Sequence, residues 1–155
     1  MKDLKHLLKK NLASHPSKAL IAVFLILSFA SLLVSAYLAA EHYTGSVPPC
    51  SLVSGCEVVT TSEYSVVMGI PVAIFGVPYF LALIIFFVAY LDSKKELYLK
   101  LALLWTIPGA GIALTLLAIQ AFILNAFCIY CLTADISSLI IFLGMVKIFW
   151  YTKDN

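Results

Sequence analysis

Three long stretches of this chain carry no charged residue: 19–40, 64–91 and 101–134. A fourth, 136–146, joins the uncharged Cys128–Ala134 across a single acid, Asp135. An α-helix needs roughly 20 apolar residues to cross the hydrocarbon of a bilayer. Helices in a water-soluble core do not need runs of that length. Composition agrees, since 63% of the 155 residues are hydrophobic and 12% are charged. A soluble domain of this size leaves too many residues near its surface to hide so much apolar area. The expectation is a chain that folds in lipid, with transmembrane helices at about 19–40, 70–91, 101–122 and 128–150.

The first stretch follows a basic leader, Met1 to Lys18, as in a secretory signal. Its apolar run exceeds the ~7–15 residues of a signal core, and Tyr37-Leu38-Ala39-Ala40 offers no clear small-x-small cleavage site. It reads as a retained helix. The chain has ten lysines and no arginine. With four spans and the N-terminus inside, Lys2, Lys5, Lys9, Lys10, Lys18, Lys94, Lys95, Lys100, Lys147 and Lys153 all fall on the cytoplasmic side. Both termini are then cytoplasmic, and Glu41, Glu57 and Glu63 lie outside. The basic leader is explained as a topology anchor and needs no nucleic-acid partner. The protein is expected in the cell (plasma or inner) membrane, as a monomer among lipids.

Short connections make successive helices neighbours, so the expected fold is all-α, a single antiparallel four-helix bundle over residues 1–155. The one long outer segment, 41–69, opens with the turn-forming Thr44-Gly45-Ser46-Val47-Pro48-Pro49. Its second half, Glu57 to Met68, reads as a short interfacial helix. Gly69-Ile70-Pro71 marks the start of the second span. Pro78, and Pro108 with Gly109 and Gly111, fall inside spans, where they kink a helix or permit close packing.

All four cysteines fall on the outer side of this topology. Cys50 and Cys56 belong to the loop, and Cys128 and Cys131 open the last span. Disulfides persist on that side of a plasma membrane. Cys128-Ile129-Tyr130-Cys131 is a C-x-x-C at a helix N-terminus, where unpaired amides and the helix dipole stabilise a thiolate. A c-type haem needs a histidine where Leu132 stands. Zinc needs further ligands, which only Cys50, Cys56, His42 or acids supply, and no metal is expected. Two structural disulfides pinning the loop to the bundle are the plainer alternative. A mobile pair beside a helix-mounted pair also suits a relay by thiol–disulfide exchange. Four cysteines allow three pairings, and spacing alone does not choose among them.

These residues resemble the vitamin K epoxide reductase family, in its prokaryotic disulfide-forming branch. The matching features are Cys50 and Cys56, Ser62 six residues later, Gly69-Ile70-Pro71-Val72-Ala73-Ile74-Phe75-Gly76, and the terminal Cys128-Ile129-Tyr130-Cys131. Bacterial four-helix oxidases of the DsbB type carry their C-x-x-C and their separated pair in the reverse order. The resemblance implies a thiol oxidase that makes disulfides outside the cytoplasm. Electrons would pass from a separate thioredoxin-like (DsbA-like) partner to Cys50, through Cys56 to Cys128 and Cys131, and on to a quinone of the menaquinone, ubiquinone or phylloquinone type. It places Ser62 near the quinone or the cysteine loop, where a capping or interfacial serine is the alternative. It places Tyr64, Phe75, Tyr79 and Leu124 at quinone-pocket positions, where plain packing is the alternative. Many prokaryotic members carry a fused thioredoxin-like domain; with the chain ending at Asn155, none is expected here.

The chain departs from the animal branch at two positions. Val72 and Asp135 stand where that branch places an Asn and a Tyr against the vitamin K ketones, which weakens the alternative of a quinone or epoxide reductase of the vitamin K cycle. Asp135 lies four residues after Cys131 and seven after Cys128, on one helix face. An ionisable group inside a span is costly and commonly functional. Asp135 is therefore either a proton relay for quinone reduction or an acid that hydrogen-bonds a neighbouring helix.

Overall fold

The structure is a computed structural model and describes residues 16–46, 48–49 and 55–153. Four helices in it are long and apolar enough to cross a membrane. Helix α1, Lys18–Thr44, begins where the Ser17 side chain accepts the Leu20 N–H at 3.2 Å. It ends at Gly45, whose φ of 69° is the left-handed turn that glycine adopts without cost. The short helix α2, Cys56–Thr61, follows, then a 3₁₀ turn at Glu63–Ser65. Helices α3, Val72–Ser93, and α4, Glu96–Ala118, come next, and α4 runs on into a π-helical turn at Ile119–Ile123. Helix α5, Ile129–Lys153, closes the chain. Pro78 and Pro108 lie inside α3 and α4 without ending them. Each long helix packs on two others, in the order α1, α3, α4, α5 and back to α1.

The segment before α3 differs from the expected helix. Helix α2 stops at Thr61, and strand β1, Val66–Val67, pairs antiparallel with β2, Ile70–Pro71. Met68 and Gly69 form the turn at φ 54° and 83°. Two successive positive φ values match the twist of a two-residue hairpin. The β-branched Val66, Val67 and Ile70 suit short strands. Pro71, which has no N–H to donate, caps α3 rather than entering it, so the second span starts at Val72. The architecture is thus the expected mostly helical, four-span bundle, with one small hairpin added before the second span.

The distribution of side chains suits lipid. Ile26, Phe29, Leu104 and Leu143 point outward and are exposed, whereas Ser28, Ser31, Ser35 and Thr106 are buried between helices. Lipid tails are as apolar as leucine, so packing of small residues joins membrane helices. At Gly144 a β-carbon would collide with the Phe24 ring, so α1 and α5 approach closely there. The dense core, with Ile21, Phe24, Leu83, Phe87, Ile141 and Met145, lies in the half of the bundle near Lys18, Lys94, Lys95 and Lys147. The other half, where Cys128 and Cys131 lie, opens into a cavity.

Candidate functional site

That cavity has a volume of about 1540 Å³. Aromatic residues Phe75, Tyr79 and Trp105 lie on its walls, and Cys131 and Asp135 border it from α5. Tyr79 is seated on three sides. Its hydroxyl lies 2.8 Å from Ser138 Oγ, its carbonyl accepts the Trp105 indole N–H at 3.3 Å, and its ring rests on Gly109. A β-carbon at Gly109 would collide with the Tyr79 hydroxyl, so only glycine leaves room there.

Cys128 is the N-cap of α5. Its carbonyl accepts the first helical bond from Leu132 N at 2.8 Å, and its Sγ accepts the Cys131 N–H at 3.4 Å. A capping sulfur takes the place that serine or aspartate oxygen usually fills. Cys128 and Cys131 are both free thiols. Cys128 precedes the membrane-crossing part of α5, Ile129–Trp150. A hydrogen bond from the Cys131 side chain lowers its thiol from the ordinary value of 9.0 to about 7, against the opposing effect of burial. Lowering of this kind makes a cysteine a nucleophile or a leaving group.

Cys56 begins α2 and is disulfide-bonded. Cys50 lies outside the described residues. Cys56, Val59 and Cys128 form one buried cluster, with Leu124, Ala126 and Tyr130 packed around it. Tyr130, between the two cysteines of the motif, donates its hydroxyl to the Pro49 carbonyl at 3.2 Å, and its ring packs tilted against Tyr37 at 5.4 Å. The motif therefore touches the loop at the residue before Cys50.

The structure brings the expected site residues to one end of the bundle. Ser62, Tyr64, Phe75, Tyr79 and Leu124 all border the cavity beside Cys131 and Asp135. Ser62 ends α2, and its hydroxyl donates to the Val59 carbonyl at 2.8 Å. Asp135, 6% exposed, accepts from Gln120 of the π-helical turn at 3.4 Å, an interhelical hydrogen bond. Gln120 was not singled out from sequence. It is 2% exposed and also accepts the Cys128 N–H at 3.0 Å. Its signal was present: it is the one amide side chain in 101–122, and an amide inside a span must find a partner.

A helical bundle of apolar spans with one free thiol, Cys131, at the rim of a deep apolar cavity and a second, Cys128, buried behind it is a multi-pass membrane redox protein. The family model for the vitamin K epoxide reductase family matches residues 22–146, and the chain belongs to that family. It is accordingly an oxidoreductase of the membrane, in a family whose members generally use a quinone or vitamin K as electron acceptor. No curated protein matches the chain.

Proposed function

We propose that this protein is a quinone-dependent thiol oxidase that generates disulfides outside the cytoplasm, with a separate thioredoxin-like protein as electron donor. The lysine distribution supports an orientation with the cysteine end of the bundle on the extracytoplasmic side of the cell membrane. One observation carries the reading. Cys131 borders the cavity, whereas its partner in the motif, Cys128, is sealed in a cluster with Cys56. This difference supports a division of roles in which Cys131 meets the acceptor and Cys128 exchanges with the loop.

The route runs from the partner's thiols to Cys50 and Cys56, then to Cys128 and Cys131. Each transfer is an exchange in which a thiolate attacks a disulfide, so one disulfide forms as another breaks. The lowered Cys128 thiol suits that step. Closing the Cys128–Cys131 disulfide releases two electrons and two protons. A quinone, when bound, takes up both and is the two-electron sink.

The cavity suits a quinone. Its volume exceeds the roughly 300–1,000 Å³ of small-molecule pockets and leaves room for a ring with an apolar tail. Most of its surface is apolar; beside Cys131 the polar groups are Asp135, Gln120 and the Tyr79–Ser138 hydroxyl pair, and Glu41, His42 and Glu63 lie on the lining nearer the loop. Phe75, Tyr79 and Leu124 hold the ring, with Tyr64 and Ser62 at the side nearest the loop. Asp135 moves protons between the thiol pair and the ring. Replacing it with Asn slows quinone reduction and changes its pH dependence; unchanged turnover across pH would remove the relay role.

Single Cys→Ala variants test the whole reading. Cys56→Ala strands the thioredoxin-like partner on Cys50 as a mixed disulfide. Wild-type protein consumes a small dithiol only when a quinone is supplied. If no variant traps a partner and all keep their activity, the route is wrong.

A further inference from the structure

The cysteine motif and Asp135 are joined by a side chain that the route above does not use. Gln120 sits in the π-helical turn Ile119–Ile123, where its own carbonyl accepts the Ala126 N–H at 3.1 Å. Such turns are rare and occur often at functional sites. The backbone N–H of an N-cap residue has no partner within its helix, and Cys128 is fully buried. Gln120 Oε1 supplies that partner at 3.0 Å. The orientation of the amide follows. A backbone N–H only donates, so the oxygen must face Cys128, and the NH₂ group is left to face Asp135 Oδ2 at 3.4 Å. The Asp135 oxygen that it meets is therefore an acceptor.

We propose that Gln120 is a positioning residue for oxidation of the Cys128/Cys131 pair: one amide holds the Cys128 backbone and the Asp135 carboxyl together, fixing the acid relative to the thiols. The proposal rests on the quinone reading above and on the role given there to Asp135. Cys128 and Asp135 are separated by two turns of α5, and no bond within the helix ties the carboxyl to the motif. Gln120 makes that tie from the π-helical turn that continues α4. A buried polar link of this kind favours one arrangement, and loss of a single arm leaves a buried group without that partner.

The two arms separate in experiment. Gln120→Glu keeps an oxygen for the Cys128 N–H but turns an oxygen, not a donor, toward Asp135. Gln120→Met removes both arms at similar volume. Two rates are measured on the detergent-solubilised full chain, per folded molecule. One is exchange of dithiothreitol with the oxidised motif, and the other is reduction of a short-chain ubiquinone or menaquinone analogue. Gln120→Glu should lower kcat for quinone about tenfold, with KM and dithiothreitol exchange within about twofold, as expected for one lost buried hydrogen bond. Gln120→Met should slow both steps. In Gln120→Glu/Asp135→Asn the donor and acceptor match again, and kcat should equal that of Asp135→Asn alone within about twofold. This last comparison decides the matter even if Gln120→Glu folds poorly. Unchanged kcat in Gln120→Glu, equal loss in both steps, or a double variant tenfold below Asp135→Asn overturns the proposal. A wild-type protein that reduces no quinone overturns the quinone reading itself, and that appears before any variant is compared.

Discussion

Gly55 lies directly against the backbone of Phe127. A β-carbon at Gly55 would sit 2.7 Å from both the amide nitrogen and the carbonyl oxygen of Phe127. The next residue in each segment is a cysteine, Cys56 in one and Cys128 in the other, and both are buried in one cluster. The missing side chain is thus what lets the loop helix seat its cysteine beside the motif. Backbone cannot give way as a flexible side chain can, so Gly55→Ala must push α2 outward. Such overpacking costs about 1–3 kcal/mol at the contact. The long helices do not depend on it, so the variant should fold. Electron transfer from a thioredoxin-like protein should slow roughly tenfold on the scale of that cost. Dithiothreitol that reduces Cys128/Cys131 directly should still support quinone turnover. Equal rates with the protein donor in wild type and variant would remove Gly55 from this role.

The Cys128 thiol is lowered to about 7, first by the Cys131 side chain. Below that pH it is a thiol and above it a thiolate. Alkylation of Cys128 in the reduced protein by a small reagent such as iodoacetamide should therefore rise through about pH 7 rather than near 9.0. Cys131→Ala removes the hydrogen bond and should move the midpoint upward. The linked stability has a definite sign. A depressed thiol adds stability that is fully present above pH 9.0, the ordinary value, and is lost as pH falls through about 7. The thermal midpoint of the reduced protein, compared with that of Cys128→Ala, should rise between those two values. A midpoint of alkylation near 9.0 in both proteins would contradict this.

What the sequence made legible follows from which signals are local. The uncharged runs locate the four helices because hydropathy needs no partner, and the ends differ by a few residues where a cap intervenes. Helix α1 reaches Thr44 rather than residue 40 because nothing breaks it before Gly45. The placement of Cys128 at the start of α5 was readable for the same reason. The hairpin was not: Val66-Val67 continues an apolar run, and only the positive φ of Met68 and Gly69 separates it from a helix. The partners of Gln120, eight and fifteen residues away, arise from the π-helical turn and the turn after it, which no periodicity in the sequence announces. The contact of Gly55 with Phe127 is equally invisible, since a glycine in a loop reads first as a turn.

Gly109 bears on the cavity through Tyr79. Its α-carbon supports the Tyr79 ring, and the ring's hydroxyl is held by Ser138 at 2.8 Å. Gly109→Ala should displace Tyr79 from Ser138 and into the cavity. The expected result is a rise in KM for quinone of roughly tenfold, the scale of one lost buried hydrogen bond with its packing. Exchange at Cys128 should be unaffected. Tyr79→Phe in the same background gives a check: the ring carbons still collide and the Ser138 bond is already lost, so KM should rise little further. If Gly109→Ala leaves KM unchanged, the Tyr79 side of the cavity does not hold the ring.

Tyr130 occupies the middle of the motif and reaches across to the loop, donating to the Pro49 carbonyl at 3.2 Å. Pro49 immediately precedes Cys50. The bond is exposed, so its contribution is small, about 0.5–1.5 kcal/mol. Its place gives it leverage, because it ties the chain beside Cys50 to the helix that carries Cys128. The tilted ring contact with Tyr37 at 5.4 Å holds the Tyr130 ring with or without the hydroxyl. Tyr130→Phe should therefore leave the ring in place and release only the loop. Hydrogen exchange should quicken in Gly45–Ser46 and at the start of α2, while α3 to α5 stay protected. Turnover with the thioredoxin-like donor should change by up to about tenfold, and turnover with dithiothreitol should not. Unchanged exchange in the loop would show that the Tyr130–Pro49 bond does not restrain it.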